Sequence, residues 1–243
     1  MSTTAPRRLT IKKAPDSDTS EARVVSQQPP PRRFIIDRGL KDDDCYEYMP
    51  SLPIAGVTIP SFDIGKKHFG AYVEQLDGEH RVCVYAGLWK IGEKMNIVTQ
   101  KRLTFLLERL NPFFARAKVC LVEKQRSVNV VASRLDQASL SYFELRHPHL
   151  HVISVASDLK YRKNDGPLGD QKHKRKKWAT DKSLELFDAR GDPVAGFVRQ
   201  LDALRKSAPE RSLKSDDVCD SALQLLGWLT TLTAREQAKY LQA

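Results

Sequence analysis

From residue 56 onward the chain repeats one pattern: a short apolar run that a strand can bury, then a turn or a helical stretch, then another run. Val57 to Asp63, Phe69 to Glu74 and Arg81 to Ala86 come first. The second and third are joined by a turn at Asp77-Gly78, so three antiparallel strands open the domain. Ile97 to Leu110 then carries Leu103, Leu106, Leu107 and Leu110 at helical spacing, and Pro112 ends or kinks it. A fourth strand follows at Val119–Glu123, then a second helix from Val128 to Leu145 with Ser127 as N-cap, then a fifth strand at His151–Val155. Three strands followed by helix, strand, helix, strand and helix describe an α/β layer fold around a mixed sheet of about five strands.

The remainder is helical. The basic run Lys172-His173-Lys174-Arg175-Lys176-Lys177 leads into a helix that reaches Phe187, and Val194 to Leu204 has helical spacing again. Ser215 is placed to cap a helix whose Val218, Ala222, Leu225, Leu226 and Leu229 share one face. Residues 1–55, with Pro29-Pro30-Pro31 and few aliphatics, read as a disordered or loosely attached basic arm, because they cannot bury enough surface to offset ordering entropy. The globular domain is expected over 56–232, with 188–213 as an added helical insertion and 233–243 as a helical tail.

Forty Lys and Arg against thirty Asp and Glu give a net charge of +10, which favours a polyanionic partner, nucleic acid before an anionic membrane. No window reaches the roughly 18 apolar residues that a membrane span needs, and no secretory leader is expected. Cys45, Cys83, Cys120 and Cys219 show no paired spacing, which excludes zinc-ribbon chemistry and suits a reducing, intracellular setting. No P-loop, dinucleotide fingerprint or Gly-x-Ser-x-Gly elbow occurs. His147, His149 and His151 alternate, but no carboxylate or cysteine follows at ligand spacing, and a metal site there is rejected.

Carboxylates stand at three separated places that suit a divalent metal. Asp63 ends the first strand and is followed by Gly65-Lys66-Lys67; alone it is an ordinary Asp-x-Gly turn. Glu123 ends the fourth strand, where a bare carboxylate would cost several kcal/mol; a salt bridge to Lys124 is the plain alternative to a metal. Asp217 and Asp220 lie at i and i+3 on the helix after Ser215, where acids in a first turn are also simply favourable; Asp216 is an alternate to Asp217. Acids at strand ends and on a facing helix can converge on Mg²⁺ for phosphodiester chemistry, and the positive charge supplies a nucleic-acid substrate. Lys66, Lys67, Lys124, Gln125, Lys172, Lys174 and Arg175 are the expected DNA contacts.

The segments Phe62-Asp63-Ile64-Gly65-Lys66-Lys67, Val122-Glu123-Lys124-Gln125, Asp216-Asp217-Val218-Cys219-Asp220-Ser221-Ala222-Leu223 and Lys174-Arg175-Lys176-Lys177-Trp178-Ala179 resemble, in this order, the RuvC-type Holliday junction resolvases. Within them the resemblance is to the branch of poxviruses, other large DNA viruses and fungal mitochondria, and it spans about residues 56 to 232. It implies a ribonuclease H-like fold and a homodimer that resolves four-way DNA junctions by paired symmetric nicks. By the same resemblance Asp63, Glu123, Asp217 and Asp220 hold two Mg²⁺ ions, with Mn²⁺ as a substitute. Products would carry 5′-phosphate and 3′-hydroxyl ends. Lys176 or Lys177 is a looser match to the family's assisting lysine. A cytoplasmic viral factory or virion is the implied setting, with the mitochondrion as alternative. Two further readings remain: a ribonuclease H-like nuclease acting on RNA–DNA hybrids or other branched DNA, and an inactive junction-binding protein.

Overall fold

The computed structural model describes residues 45–50, 56–65, 67–77, 80–125, 128–167, 172–209 and 213–241. Its centre is a six-stranded sheet. The strands are β1 (Cys45–Tyr48), β2 (Val57–Ile64), β3 (His68–Asp77), β4 (His80–Lys90), β5 (Val119–Glu123) and β6 (His151–Val155), in the order β1-β4-β3-β2-β5-β6. The strands β2, β3 and β4 pair antiparallel, as their short connections require, while β5 and β6 add in parallel after helical crossovers. The five expected strands are all present, and the boundaries of β5 and β6 agree to the residue.

The sixth strand corrects the reading of 1–55 as a loose arm. Cys45–Tyr48 pairs antiparallel with β4, and Cys45, Tyr46 and Glu47 are buried. Glu47 accepts from Tyr85 Oη (2.7 Å) and from Arg109 Nε and Nη2 (2.8 and 2.7 Å). Four residues show too little alternation to be recognised alone, and the partners that satisfy Glu47 come from other elements. Residues 1–44, 51–55 and the expected N-cap Ser127 lie outside the described residues.

Eight helices among the described residues cover the sheet: α1 (Ile97–Arg109), α2 (Asn111–Phe114), α3 (Val130–Arg146), α4 (Leu159–Arg162), α5 (Lys172–Ala189), α6 (Val194–Ser207), α7 (Ser215–Leu229) and α8 (Ala234–Leu241). Asn96 caps α1 (2.9 Å to the Thr99 amide) and Asn129 caps α3 (3.4 Å to the Ala132 amide), each an Asx side chain satisfying an orphan N–H. Ser215 is the first residue of α7 rather than its cap; Lys214 precedes it with extended φ and makes no side-chain cap.

The sheet separates two cores. On one side α1, α2 and α3 cover Phe62, Ile64, Phe69, Val73, Cys120 and Val122; on the other α5, α6, α7 and α8 cover Ile59, Tyr72, Val119 and Leu121. The 188–213 stretch is part of that second core, since α6 buries Val194, Ala195, Phe197, Val198 and Leu201. The tail also docks: Tyr240 of α8 stacks on His151, with ring centroids 5.6 Å apart. No helix among the described residues is long and apolar enough to cross a membrane.

Candidate active site

Strand alternation decides where the two strand carboxylates point. On β2, Phe62 and Ile64 belong to the α1–α3 core, so Ile59, Ser61 and Asp63 face α7. On β5, Cys120 and Val122 face α3, so Val119, Leu121 and Glu123 face the same way as Asp63. Because β2 and β5 are parallel neighbours, with Phe62 opposite Val122, the two acids reach the same end of the sheet.

The helix α7 completes the cluster by lying directly on the sheet. Opposite Asp63 on β3 stands Gly70. A Cβ at Gly70 would sit 2.3 Å from the Asp217 carbonyl oxygen, so only glycine lets the first turn of α7 approach this closely. The contact is then fastened by hydroxyls: Ser61 Oγ donates to Ser221 O (2.7 Å), Ser221 Oγ lies 3.1 Å from Gly70 O, and Gln224 Nε2 donates to Ser61 Oγ (3.2 Å). These groups face inward among apolar residues, where an unpaired hydroxyl or amide would be costly.

The three acids of α7 are all buried: Asp216 at 5%, Asp217 at 7% and Asp220 at 9% exposure. Their surroundings separate Asp216 from Asp217. Asp216 is paired with Lys176 from α5, whereas the charge acting most strongly on Asp217 is that of Asp63.

Burial and then repulsion from neighbouring acids hold Asp63, Asp217 and Asp220 high. Burial first, and Glu123 next, push Asp63 up to about 7. Burial and Asp63 push Asp217 well above the usual carboxylate range, and burial takes Asp220 to about 6 against the pull of Lys160. Acids clustered in a low-dielectric site cannot all ionise without a cation.

That cation, in this structure, is Lys160. Its Nζ lies 2.9 Å from Glu123 Oε2 and 2.7 Å from Asp220 Oδ2. Burial works against its charge, but Asp220, Glu123 and Asp63 outweigh it and hold the ammonium firmly protonated. The sequence reading missed this residue. It lies in a basic, turn-rich stretch with Arg162 and Lys163, and nothing in the spacing there singles it out. Glu123 was expected to pair with Lys124 if not with a metal; the ion pair goes to Lys160 because β6 and α4 return the chain to the end of β5, while Lys124 is exposed. Gly70, Ser61, Ser221 and Gln224 were missed for the same reason: their roles exist only across elements.

The expected basic residues fall into separate places. Lys176 points at the acids, but Lys177 does not: it is exposed and pairs with Asp181 (2.7 Å) one turn along α5. Lys174 is exposed near the start of α5, and Arg175 lies 5.4 Å over the Tyr161 ring. Lys67 pairs with Glu93 (2.8 Å), and Gln125 Nε2 donates to the Glu123 carbonyl (3.2 Å). Lys66 and the side chain of Lys172 lie outside the described residues. His68, on the α7 face two residues before Gly70, is buried with neither ring nitrogen hydrogen-bonded among the described residues. Burial, then Lys214, Lys67 and Lys90, lower its pKa to about 4. His147 and His149 serve structure, 3.0 Å from Asn111 Oδ1 and 3.2 Å from Phe114 O.

The donor set fits a hard divalent cation. All the candidate ligands are carboxylate oxygens, and Asp217 Oδ2 and Asp220 Oδ1 are buried with no hydrogen-bond partner among the described residues. As the side chains stand, no three His, Cys, Asp or Glu among the described residues are grouped to hold one ion.

No protein-family model and no curated protein matches this chain. Solved structures do. RuvC of Thermus thermophilus, in complex with a Holliday junction substrate, aligns over 77% of this chain and 100% of its own, with 12% identity and a TM-score of 0.50. The fowlpox virus Holliday junction resolvase aligns over 73% of this chain and 100% of its own, with 20% identity and a TM-score of 0.49. This is the ribonuclease H-like fold in its RuvC form. In this chain β1 forms one edge of the sheet, beside β4, and β6 forms the other.

Proposed function

We propose that this chain is a metal-dependent DNA endonuclease that resolves four-way junctions by paired symmetric nicks. The observation that carries the reading is the gathering of Asp63, Glu123, Asp217 and Asp220 from β2, β5 and α7 at one end of a RuvC-type sheet. Asp63, Glu123, Asp217 and Asp220 would hold Mg²⁺, two ions per site, with Mn²⁺ as a substitute. When bound, the metal activates water and stabilises the leaving 3′ oxygen, giving 5′-phosphate and 3′-hydroxyl ends.

The chain's own residues supply the rest. The packing of α7 on Gly70 fixes the backbone of Asp217 against the sheet beside Asp63. Lys176 lies at the border between the acids and the basic start of α5, where it can meet the scissile phosphate. Lys174 and Arg175 stand on the same helix and suit the flanking backbone phosphates, a contact that positions DNA without reading its bases. Two symmetric cuts need two such sites, which a homodimer provides. The junction as substrate is supported by the sequence motifs and by the RuvC complex that shares the fold.

The test is cleavage of a synthetic four-way junction, a linear duplex and an RNA–DNA hybrid with Mg²⁺, using wild type, Asp63→Asn and Glu123→Gln. Paired symmetric nicks on the junction alone, lost in both variants, are the expected result. Cleavage of the hybrid instead would keep the fold and overturn the substrate. Tight junction binding without cleavage of anything would make this a binding protein.

A further inference from the structure

The proposed chemistry assigns nothing to Lys160, which lies inside the acid cluster. It is 4% exposed, deeper than any of the three acids of α7. Its backbone is fixed: Asn164 Nδ2 donates both to Lys160 O (2.7 Å) and to Leu223 O of α7 (3.2 Å). At Gly227 a Cβ would lie 3.2 Å from Leu159 O, so α4 sits close against the flank of α7. The stem of Lys160 therefore starts from a rigid point, but four methylenes leave its ammonium free to pivot.

The cluster is short of positive charge. Lys160 serves Glu123 and Asp220, and Lys176 serves Asp216. Lys214 pulls on both remaining acids, Asp63 and Asp217, but on each of them a neighbouring acid outweighs it, and one oxygen on each of Asp217 and Asp220 has no hydrogen bond among the described residues. Lys160 ties the end of β5 to the middle of α7, two elements that carry ligands for the same centre. While it holds both, Glu123 Oε2 and Asp220 Oδ2 each face the ammonium.

We propose that Lys160 is a tethered counter-ion: it holds Glu123 and Asp220 in place when no metal is bound, and it must withdraw before both can ligate a divalent ion. The inference rests on the metal-dependent reading above. Two opposite consequences follow from one contact. Without metal, loss of Lys160 leaves buried carboxylates uncompensated and weakens the fold. With metal, the same loss removes a competitor, because apparent affinity is reduced by the fraction of molecules not ready to ligate.

The experiment compares the full-length chain with Lys160→Met, which keeps length without charge, and Lys160→Gln as a second, polar variant. Thermal unfolding is measured in EDTA and in Mn²⁺, and Mn²⁺ binding is titrated by its electron paramagnetic resonance signal, with no DNA and no cleavage involved. The variants should melt below wild type in EDTA and gain more from Mn²⁺. They should also bind Mn²⁺ at least about tenfold more tightly, as when the ligating state becomes ten times more populated. A variant that folds only with Mn²⁺ present carries the same meaning. Mn²⁺ binding equal to or weaker than wild type in both variants would overturn the inference while leaving the metal centre intact. So would variants that fail to fold with or without Mn²⁺, since Lys160 would then be a plain structural residue. If wild type itself binds no Mn²⁺, the metal-dependent reading falls and this inference with it.

Discussion

Phe62 and Asp63 are neighbours on β2, yet their side chains enter two different media. Phe62 meets Phe69, Phe114 and Phe143 at centroid distances of 5.2 to 6.2 Å, in a core of aromatic and aliphatic side chains under α1, α2 and α3. Asp63 faces α7, where Ser61, Gln224, Ser221, Asp217, Asp220 and Lys160 are buried beside it. The first side gains from packing, and its buried carboxylate, Glu47, is matched by Arg109 and Tyr85. The second holds like charges together at a cost in stability. One sheet can do both because its side chains alternate: rigidity comes from the dry side and the reactive groups stand on the other.

The largest expected effects contrast the two sides directly. Asp63→Asn should remove several kcal/mol of transition-state stabilisation, a loss of roughly 10³-fold in junction cleavage, while the metal-free protein melts no lower than wild type. Phe143→Ala should do the reverse, costing about 3–5 kcal/mol in denaturant unfolding with cleavage per folded molecule retained. If Asp63→Asn destabilised the metal-free fold, the charge strain ascribed to this side would be refuted.

Gly70→Ala tests the seam between the sides. A methyl group would meet the Asp217 carbonyl, so α7 must shift. A cost of about 1–3 kcal/mol is expected, together with a loss of cleavage out of proportion to that cost, since Asp217 moves with the helix. Full activity with normal stability would show that α7 can slide without harming the site.

A pH titration of metal-free stability sharpens the comparison further. The Asp63 carboxyl is raised from 3.8 to about 7, so between those values the folded protein holds more protons than the unfolded chain and stability falls as pH rises. His68 acts oppositely: lowered from 6.5 to about 4, it makes stability rise with pH, but only within that lower window. Above pH 6.5 the histidine effect fades, and the raised carboxyls, Asp63 with Asp217 beside it, dominate. In EDTA, wild type should lose stability from pH 6.5 to 7.5 and Asp63→Asn should lose less. A flat wild-type profile would contradict it.

The smallest effect concerns the outer surface. Lys174→Ala should weaken junction binding uniformly and reduce the slope of log affinity against log salt by about one, as for a single phosphate contact. An unchanged slope would place the DNA elsewhere.

The order of strands and helices was legible in the sequence because each core strand is a continuous apolar run and the crossover helices carry the 3.6-residue period. Asp63 and Glu123 were legible as acids where apolar runs end. Cys45–Tyr48 was not, since a four-residue edge strand shows no period and its buried Glu47 is satisfied only by Tyr85 and Arg109. The sequence by itself determined the α/β layering, the positive charge and the residue types able to bind a divalent ion. Only the tertiary structure decided that Asp216 pairs with Lys176 while Asp63 is the charge acting most strongly on Asp217, that Lys177 turns away from the acids, and that Lys160 lies between Glu123 and Asp220. Local periodicity reports which face of its own element a residue occupies. Which groups meet across elements depends on how closely two backbones approach, and here that distance is set by the missing side chain of Gly70.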